Sequence, residues 1–246
     1  MNSMDKKIYS GAFIADLFNR MSVSYEKMNA IASFGFYPLW RKQAITKIPI
    51  KKGDRVTDLL TGAGECWATI LKRIGPSGEL IALDFSKGML HKARLRKERF
   101  PGHSINILET DVFNNTISSH SQDAVICAYG IKTFTNRQMA AFAGEIYRIL
   151  KPNGQFSLVE VSLPGTRWLR TLYFFYIARI VPLLGFLLSG DRASYKMLGV
   201  YSGNFKNIKN VIPLFTDAGL SVTYCSYFFG CATGIYGSKA ASGEHV

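Results

Sequence analysis

The sequence predicts a doubly wound α/β fold, in which helices cover both faces of a mostly parallel β-sheet. Short apolar runs alternate with amphipathic segments from residue 55 onward, which is the pattern of repeated βαβ units. Turn residues separate these segments at 75–78 (Gly-Pro-Ser-Gly) and at 151–154 (Lys-Pro-Asn-Gly). The first apolar run ends at two closely spaced glycines, as the first strand of such folds commonly does.

Seven strands and at least six helices follow from this alternation. The predicted strands are residues 55–60, 79–84, 104–109, 124–129, 155–161, 221–228 and 233–236. The predicted helices are residues 12–31, 64–74, 87–99, 137–150, 167–181 and 207–218, with further helical turns at 192–201. Only Gly230 offers a hinge between the last two strands, which predicts an antiparallel hairpin at the sheet edge.

Composition indicates one domain. With 246 residues, 48% of them hydrophobic, the chain can bury a full core. The four cysteines form no CxxC and the four histidines share no ligand spacing, so we expect neither a disulfide framework nor a metal site. The polar residues 1–9 lack the apolar core of a signal peptide, and we expect a cytoplasmic protein.

The turn after the first strand predicts a binding site for an adenosine-containing cofactor. Asp58 lies on the strand, Gly62-Ala63-Gly64 forms the turn, and Asp84 ends the next strand twenty residues beyond Gly64. Glycines let a ligand approach the backbone, and an acid at that distance reaches a ribose diol in a βαβ unit. Taken alone, the two glycines could equally form a simple turn between strand and helix that binds no ligand.

The identity of the cofactor depends on the third glycine of the dinucleotide fingerprint. This chain has Trp67 in its place, which prevents the close helix packing that a pyrophosphate site requires. S-adenosylmethionine is therefore favoured over NAD or FAD. Five parallel strands followed by a hairpin are typical of a Rossmann-like class I methyltransferase, whose crevice would also receive Asp111, Ala128 and Tyr129.

Two further features bear on contact with a membrane or lipid: the apolar segment 168–188 and the net charge of +13. Arg170, Arg179 and Pro182 interrupt the segment, so we do not expect it to span a membrane. We expect most of its side chains to pack in the core and a minority to face a ligand or lipid. The basic block 87–99 is either a solvated helix face or a contact for anionic headgroups at the inner face of the membrane.

Several longer stretches carry a family resemblance. They are Leu17-Phe18-Asn19-Arg20, Ser33-Phe34-Gly35, Tyr129-Gly130-Ile131-Lys132, residues 150–154 and Ser189-Gly190-Asp191-Arg192. With the cofactor turn, they resemble the UbiE/COQ5 family, which methylates a ring carbon of ubiquinone and menaquinone precursors. The resemblance spans nearly the whole chain. It implies that Asp84 holds the ribose hydroxyls and that Asp111 with the Val112 backbone reads the adenine, although either acid could instead cap a turn.

The resemblance also suggests a division of the chain. Residues 1–47 would form a helical lid, 48–161 the cofactor-binding core, 162–206 a helical substrate-binding insertion, 207–239 a helix and hairpin, and 240–246 a disordered tail. We expect cofactor contacts from Asp58, Gly62, Ala63, Gly64, Asp84, Phe85, Asp111, Val112, Ala128 and Tyr129. We expect substrate contacts from Tyr37, Trp40, Phe174, Phe175, Asp191 and Tyr195.

Lys132, at the end of the fourth strand, is the candidate catalytic residue. As a cation it would stabilise a phenolate, and it could accept a proton only if desolvation lowered its pKa. A surface lysine at the start of a loop is the alternative. Glu160 is either a site carboxylate or a structural partner of a basic residue.

The chain departs from the family pattern at Ala63 and Glu65 in the turn, at Tyr37-Pro38, at Lys132-Thr133 and at Gly234-Ile235-Tyr236. These departures leave the identity of the methyl acceptor more open than the type of reaction. A prenylated quinol is the expected substrate. Another aromatic or lipid-like acceptor, or a non-catalytic subunit, is the alternative. A flipped-base motif and an RNA-binding module are missing, so we expect no nucleic-acid partner. Monomer and homodimer both stay open.

Overall fold

The computed structural model describes residues 7–240, so residues 1–6 of the predicted lid and 241–246 of the predicted tail lie outside it. All seven predicted strands are present. They are β1 (Arg55–Leu59), β2 (Glu79–Asp84), β3 (Ser104–Glu109), β4 (Gln122–Ala128), β5 (Leu150–Val161), β6 (Leu220–Tyr227) and β7 (Ala232–Lys239). They form a single sheet in the order β3-β2-β1-β4-β5-β7-β6, and the predicted α/β fold is confirmed.

The strand order places the ligand crevice. β1 pairs in parallel with both β2 and β4, so the chain direction across the sheet reverses beside β1. Ligands bind at such switch points, outside the carboxyl ends of the strands. The predicted terminal hairpin is confirmed, and its second strand, β7, inserts between β5 and β6 and is antiparallel to both.

The helices surround this sheet and the crevice. They are α1 (Gly11–Met21), α2 (Tyr25–Ala32), α3 (Phe36–Ile45), α4 (Trp67–Ile74), α5 (Lys87–Lys97), α6 (Asn136–Ile149), α7 (Arg167–Ser189), α8 (Arg192–Phe205) and α9 (Ile212–Asp217). α9 is short because residues 208–211 form a 3₁₀ turn before Pro213, which occupies the first helical turn where proline is tolerated.

The single N-terminal helix predicted at 12–31 is wrong. The chain instead turns at residues 22–24 between α1 and α2, where the hydroxyl of Ser22 bonds the carbonyl of Asn19 and that of Ser24 bonds Tyr195. Serine hydroxyls that find such partners compete with continued helix. The next helix, α3, was not predicted, and it begins after Gly35, whose φ of 78° is left-handed.

The N-terminal helices close over the carboxyl edge of the sheet. The side chain of Asn19 accepts from the Ser86 hydroxyl and from the backbone of Gly88, at the start of α5. The ammonium of Lys92 donates to the Val23 carbonyl at 3.0 Å. These bonds attach the N-terminal helices to the region of the predicted cofactor site.

The helix α7 runs further than predicted, and its expected burial in the core is wrong. It continues to Ser189 through a π-helical turn, Tyr176–Ile180, whose wider spacing accommodates Pro182 in the following turn. By length and composition this helix could cross a membrane. Only 22% of its most apolar window is buried, so it is not a core helix. Trp168, Phe175 and Leu187 are 66%, 57% and 69% exposed.

Candidate active site

A cavity of about 650 Å³ opens at the carboxyl ends of β1, β2 and β4. We call it the first cavity. Its lining comes from the sheet edge and from the N-terminal helices that cover it. The lining residues are Ile14, Phe18, Tyr25, Arg41, Asp58, Leu60, Thr61, Gly62, Glu65, Cys66, Asp84, Phe85, Met89, Ala128, Tyr129, Gly130, Thr133 and Phe134.

The glycine turn forms the floor of the first cavity. Gly62 and Gly64 have φ values of 59° and 79°, in the left-handed region that glycine adopts without strain. A Cβ on Gly64 would lie 2.7 Å from the indole of Trp67. That indole is fully buried and donates to the hydroxyl of Thr61 at 2.9 Å. Trp67 therefore fixes the turn from beneath, in the place where a dinucleotide site would carry a third glycine.

Asp84 connects this turn to the next strand. One carboxylate oxygen accepts from the backbone of Gly62 at 2.8 Å and the other from the backbone of Ser86 at 2.8 Å. Burial raises the pKa of Asp84, and these backbone donors oppose the rise. Asp84 lines the first cavity, and each of its oxygens has one partner in these bonds where a carboxylate oxygen can accept two. Asp84 can therefore accept further hydrogen bonds from the two hydroxyls of a ribose.

Asp58 presents an unpaired oxygen to the same cavity. Its Oδ2 accepts from the hydroxyl of Thr61, whereas its Oδ1 is buried and has no hydrogen-bond partner in the described chain. Burial raises the pKa of Asp58 to about 7, although the bond from Thr61 lowers it. An orphaned buried carboxylate oxygen is costly. A bound cation would relieve that cost, and the ammonium of an amino-acid moiety fits the need.

Binding of such a cation to Asp58 should depend on pH. Below about pH 7 the carboxyl group is protonated, and it must lose its proton before it can pair with an ammonium group. We therefore expect S-adenosylhomocysteine to bind roughly tenfold more weakly at pH 6 than at pH 8, as measured by titration calorimetry. Asp58→Asn should abolish this slope; a slope that persists in the variant would place the titrating group elsewhere.

Backbone strain is concentrated beside the first cavity. Leu60 and Tyr129, which follow β1 and β4, have φ values of 55° and 65°. Non-glycine residues rarely adopt this region unless the surrounding structure enforces it, and such residues cluster at functional sites. A Cβ on Gly130 would lie 2.5 Å from the Leu60 side chain. The two strand ends are thus packed against each other in one tightly determined arrangement.

A second cavity of about 450 Å³ adjoins the first and is mostly apolar. Helices α2, α3, α7 and α8 supply most of its wall. The lining residues are Asn29, Ala32, Ser33, Tyr37, Trp40, Lys132, Val161, Tyr173, Ile177, Val181, Leu198 and Ser202.

Two stacked tyrosines lie where the two cavities meet. The ring of Tyr37, in the second cavity, lies on the ring of Tyr129, in the first, with 3.7 Å between centroids. The hydroxyl of Tyr129 donates to the carbonyl of Tyr37 at 2.8 Å. Burial raises the pKa of both phenols well above the ordinary value, so both stay neutral. The side chains where the two cavities meet are therefore aromatic and uncharged.

Lys132 brings the charge in the second cavity. It is 3% exposed, and its ammonium donates to Glu160 at 2.7 Å and to the carbonyl of Tyr129 at 3.1 Å. Glu160 is fully buried and also accepts from the backbones of Lys132 and Val161. The surface-lysine alternative is wrong. An ammonium has three N–H donors. Within residues 7–240 two of those of Lys132 have acceptors, and the third is left for a ligand.

The structure gathers some of the expected site residues and not others. Asp58, Gly62, Asp84, Phe85, Ala128 and Tyr129 line the first cavity, and Tyr37, Trp40 and Lys132 line the second. Asp111 caps a 3₁₀ turn by accepting from Phe113, and neither it nor Val112 lines either cavity. Ala63 and Gly64 lie behind the lining.

On the substrate side, Phe174 and Phe175 lie on the outer side of α7, where they are 39% and 57% exposed. Their neighbours Tyr173 and Ile177 line the second cavity instead. Asp191 caps α8, and the buried Tyr195 hydroxyl bonds Ser24. These four expected substrate contacts line neither cavity.

Sequence reasoning missed the roof of the first cavity. Phe18 and Tyr25 from the N-terminal helices reach it, and Arg41 from α3 donates to the Glu65 carbonyl at 3.2 Å. The guanidinium of Arg41 also lies 5.6 Å from the ring centre of Tyr129. An arginine next to Trp40 on an amphipathic helix was the available signal.

Comparison with known proteins assigns the family. The model of the ubiE/COQ5 methyltransferase family matches residues 3–239. The chain belongs to this family. It is an S-adenosylmethionine-dependent methyltransferase, and S-adenosylmethionine is its cofactor. The orphaned oxygen of Asp58 and the glycine turn beside Asp84 fit that cofactor.

Curated relatives cover nearly the same length. A demethylmenaquinone methyltransferase of Listeria welshimeri serovar 6b is 26% identical over 224 residues, covering 91% of this chain and 94% of the relative. The enzyme of the same name from Oceanobacillus iheyensis is 28% identical over 226 residues, covering 92% and 94%.

Solved structures support the class I methyltransferase fold. A methyltransferase of Aquifex aeolicus aligns with a TM-score of 0.60 at 17% identity, covering 86% of this chain and 96% of that one. A methyltransferase of Methanococcus maripaludis gives a TM-score of 0.60 at 21% identity, covering 93% and 94%.

Proposed function

We propose that this methyltransferase transfers a methyl group to a ring carbon of a prenylated quinol of the demethylmenaquinol type. The observation that carries the proposal is the apolar second cavity, which adjoins the cofactor cavity and holds one buried cation, Lys132. The curated relatives named demethylmenaquinone methyltransferase support this acceptor, and menaquinone-type precursors are favoured over ubiquinone-type ones.

On the cofactor side, the chain would hold each polar part of S-adenosylmethionine with a separate group. The unpaired oxygen of Asp58 accepts from the ammonium of the methionyl part, and Asp84 accepts from the ribose hydroxyls. The backbone of Thr61 and Gly62, which line the first cavity, lies beside the ligand. When bound, the cofactor supplies an electrophilic methyl group on a sulfonium.

On the acceptor side, the chain would orient the ring and stabilise its oxygen. A quinol carbon becomes nucleophilic when the neighbouring hydroxyl loses its proton, which passes to water. The third N–H of Lys132 then donates to the oxygen that is left negative. Glu160 positions the ammonium by accepting from it and from the backbone N–H of Lys132 itself. Transfer requires the cofactor methyl and the ring carbon to come into contact where the two cavities meet, and the neutral rings of Tyr37 and Tyr129 keep that place apolar. Once the carbon has taken the methyl group from sulfur, it releases its own hydrogen as a proton to water and the oxygen regains a proton, so that the ring is aromatic again.

Filling the second cavity should separate acceptor binding from cofactor binding. Ala32 lines that cavity, and Ala32→Trp would occupy the space of the ring. We expect methyl transfer to fall at least about tenfold, since ring placement supplies much of the rate, while affinity for S-adenosylhomocysteine stays unchanged. Ala30→Trp is the matched control, because Ala30 is exposed on the same helix. Equal losses in both variants would contradict the assignment.

The direct test supplies the purified protein with methyl-labelled S-adenosylmethionine and chemically reduced demethylmenaquinone. We expect label on the quinol ring, identified by mass spectrometry of the extracted lipid. Reduced lipid extract from cells lacking the gene serves as a second acceptor. Label on a different aromatic or lipid-like molecule in that extract would replace the proposed acceptor, and no label on any acceptor would favour a non-catalytic subunit.

A further inference from the structure

The outer side of α7 carries a long apolar stripe with one arginine, Arg179, near its middle. Trp168, Leu172, Phe175, Leu183, Phe186 and Leu187 are between 46% and 69% exposed. Their spacing of three or four residues, with Arg179 completing the row, places them on one side of the helix. A row of large apolar side chains this long, left uncovered on one element, marks an interaction surface.

The charges around this stripe have one sign. Residues 162–206 contain six basic residues, namely Arg167, Arg170, Arg179, Arg192, Lys196 and Lys206, and one acidic residue, Asp191. One carboxylate oxygen of Asp191 accepts from the backbone of Ser194 at the start of α8. The segment that carries the apolar stripe therefore has a net positive charge, and its basic side chains form no ion pairs within residues 7–240.

The inner side of α7 is fixed to the protein. Ile177 and Val181 are 6% and 4% exposed. A Cβ on Gly185 would lie 2.2 Å from the ring of Tyr195, and one on Gly199 would lie 3.1 Å from the backbone of Ala178. Such close helix packing would be lost if α7 left the protein to cross a bilayer. A helix held on one side and apolar on the other is suited to lie in the plane of an interface.

We propose that the outer stripe of α7 inserts into an anionic lipid bilayer, parallel to its surface, with the surrounding basic residues at the headgroups. Aromatic and aliphatic side chains enter the boundary between headgroups and acyl chains, and arginines beside them extend to the phosphates. A second copy of this chain is disfavoured as the occupant, because its only acid in this segment is already bonded and Arg179 would meet further cations.

This membrane contact goes beyond the proposed function and does not depend on it. Only the consequence of the contact for catalysis rests on the proposed function. Tyr173, Ile177 and Val181 on the inner side of the same helix line the second cavity. Docking of the outer stripe therefore brings that cavity next to the bilayer. An acceptor with a prenyl tail would then move its ring into the protein while the tail stays among the acyl chains.

Trp168 reports on insertion directly. The other two tryptophans, Trp40 and Trp67, are 4% and 0% exposed, whereas Trp168 is 66% exposed. The test mixes the full chain, without quinol or cofactor, with vesicles of phosphatidylcholine and phosphatidylglycerol or of phosphatidylcholine alone. We expect sedimentation with the anionic vesicles only, together with quenching of Trp168 by brominated acyl chains. Absence of binding to the anionic vesicles would overturn the proposal.

Variants identify the surface that binds. Phe175→Ser with Leu187→Ser should weaken sedimentation at least about tenfold, since two large apolar side chains are lost from the lipid. Arg179→Glu should weaken it as well. The matched control is Leu95→Ser, because Leu95 is 53% exposed on α5, within the basic block that the sequence suggested for lipid contact. Circular dichroism and binding of S-adenosylhomocysteine verify folding in each variant.

The remaining outcomes decide against the proposal. Loss of binding in Leu95→Ser with full binding in the α7 variants would move the contact to the basic block. Concentration-dependent dimers that dissociate in the Phe175 and Leu187 double variant, without vesicle binding, would assign the stripe to a second copy. Because no acceptor is present, a failure here is distinguishable from a failure of the methylation assay.

Discussion

Replacing Lys132 with methionine is expected to destabilise the fold and to remove most of the methyl transfer. The change leaves the fully buried Glu160 without its cation, and breaking a buried pair in this way costs about 3–5 kcal/mol. Loss of the donor to the acceptor oxygen should lower kcat by roughly 100- to 1000-fold. Urea unfolding measures the first effect, and initial rates on reduced demethylmenaquinone measure the second.

A double variant separates the two effects. Lys132→Met with Glu160→Gln removes both charges, and the amide oxygen can still accept from a buried backbone N–H. We expect it to regain most of the stability and none of the activity. Arg55→Met is the control for an ion pair of no catalytic importance, since its pair with Glu79 is half exposed and worth about 0.2–1 kcal/mol. An active double variant would limit Lys132 to a structural role.

Asp84→Asn should abolish useful cofactor binding. The carboxylate accepts from two backbone N–H groups, whereas an amide presents its own NH₂ to one of them and carries no charge for a ribose hydroxyl. Each charged hydrogen bond lost is worth about 1.5–3 kcal/mol, so we expect S-adenosylhomocysteine to bind roughly 100-fold more weakly, measured by calorimetry.

The control for Asp84 is a carboxylate at the opposite edge of the same sheet. Asp123 accepts from the backbone of Arg55 at 2.9 Å and from Lys151 at 2.6 Å, far from the carboxyl ends of the strands. Asp123→Asn should change thermal stability slightly and leave the affinity for S-adenosylhomocysteine unaltered. If Asp84→Asn and Asp123→Asn behave alike, the role of Asp84 is to brace the turn.

The cofactor side of the site could be predicted because topology alone determines it. Parallel strands bring Asp58, Asp84 and Tyr129 to one edge whatever the surrounding side chains do. The strand bounds differ from those predicted by few residues for the same reason, except where β5 begins earlier and β7 extends further. Insertion of β7 between β5 and β6 is a long-range pairing that local patterns do not specify.

The acceptor side could not be predicted, since it depends on the direction of individual side chains. Phe174 and Tyr173 are adjacent in sequence. One step along the helix nevertheless places Tyr173 in the wall of the second cavity and Phe174 on the outer side of α7. The π-helical turn in α7 shifts this relation again, and no residue type announces it. Apolar content likewise misled the expectation that most side chains of segment 168–188 are buried, because composition alone does not distinguish a core position from an exposed one, as Trp168 and Leu187 show.

The most direct test of the two-cavity account is a crystal structure with S-adenosylhomocysteine and a short-tailed demethylmenaquinol analogue bound together. The account predicts the nucleoside against Asp84 and the glycine turn, and the ring in the second cavity with an oxygen within hydrogen-bonding distance of Lys132 Nζ. A ring bound elsewhere, with Lys132 still held by Glu160 and facing no ligand, would contradict it.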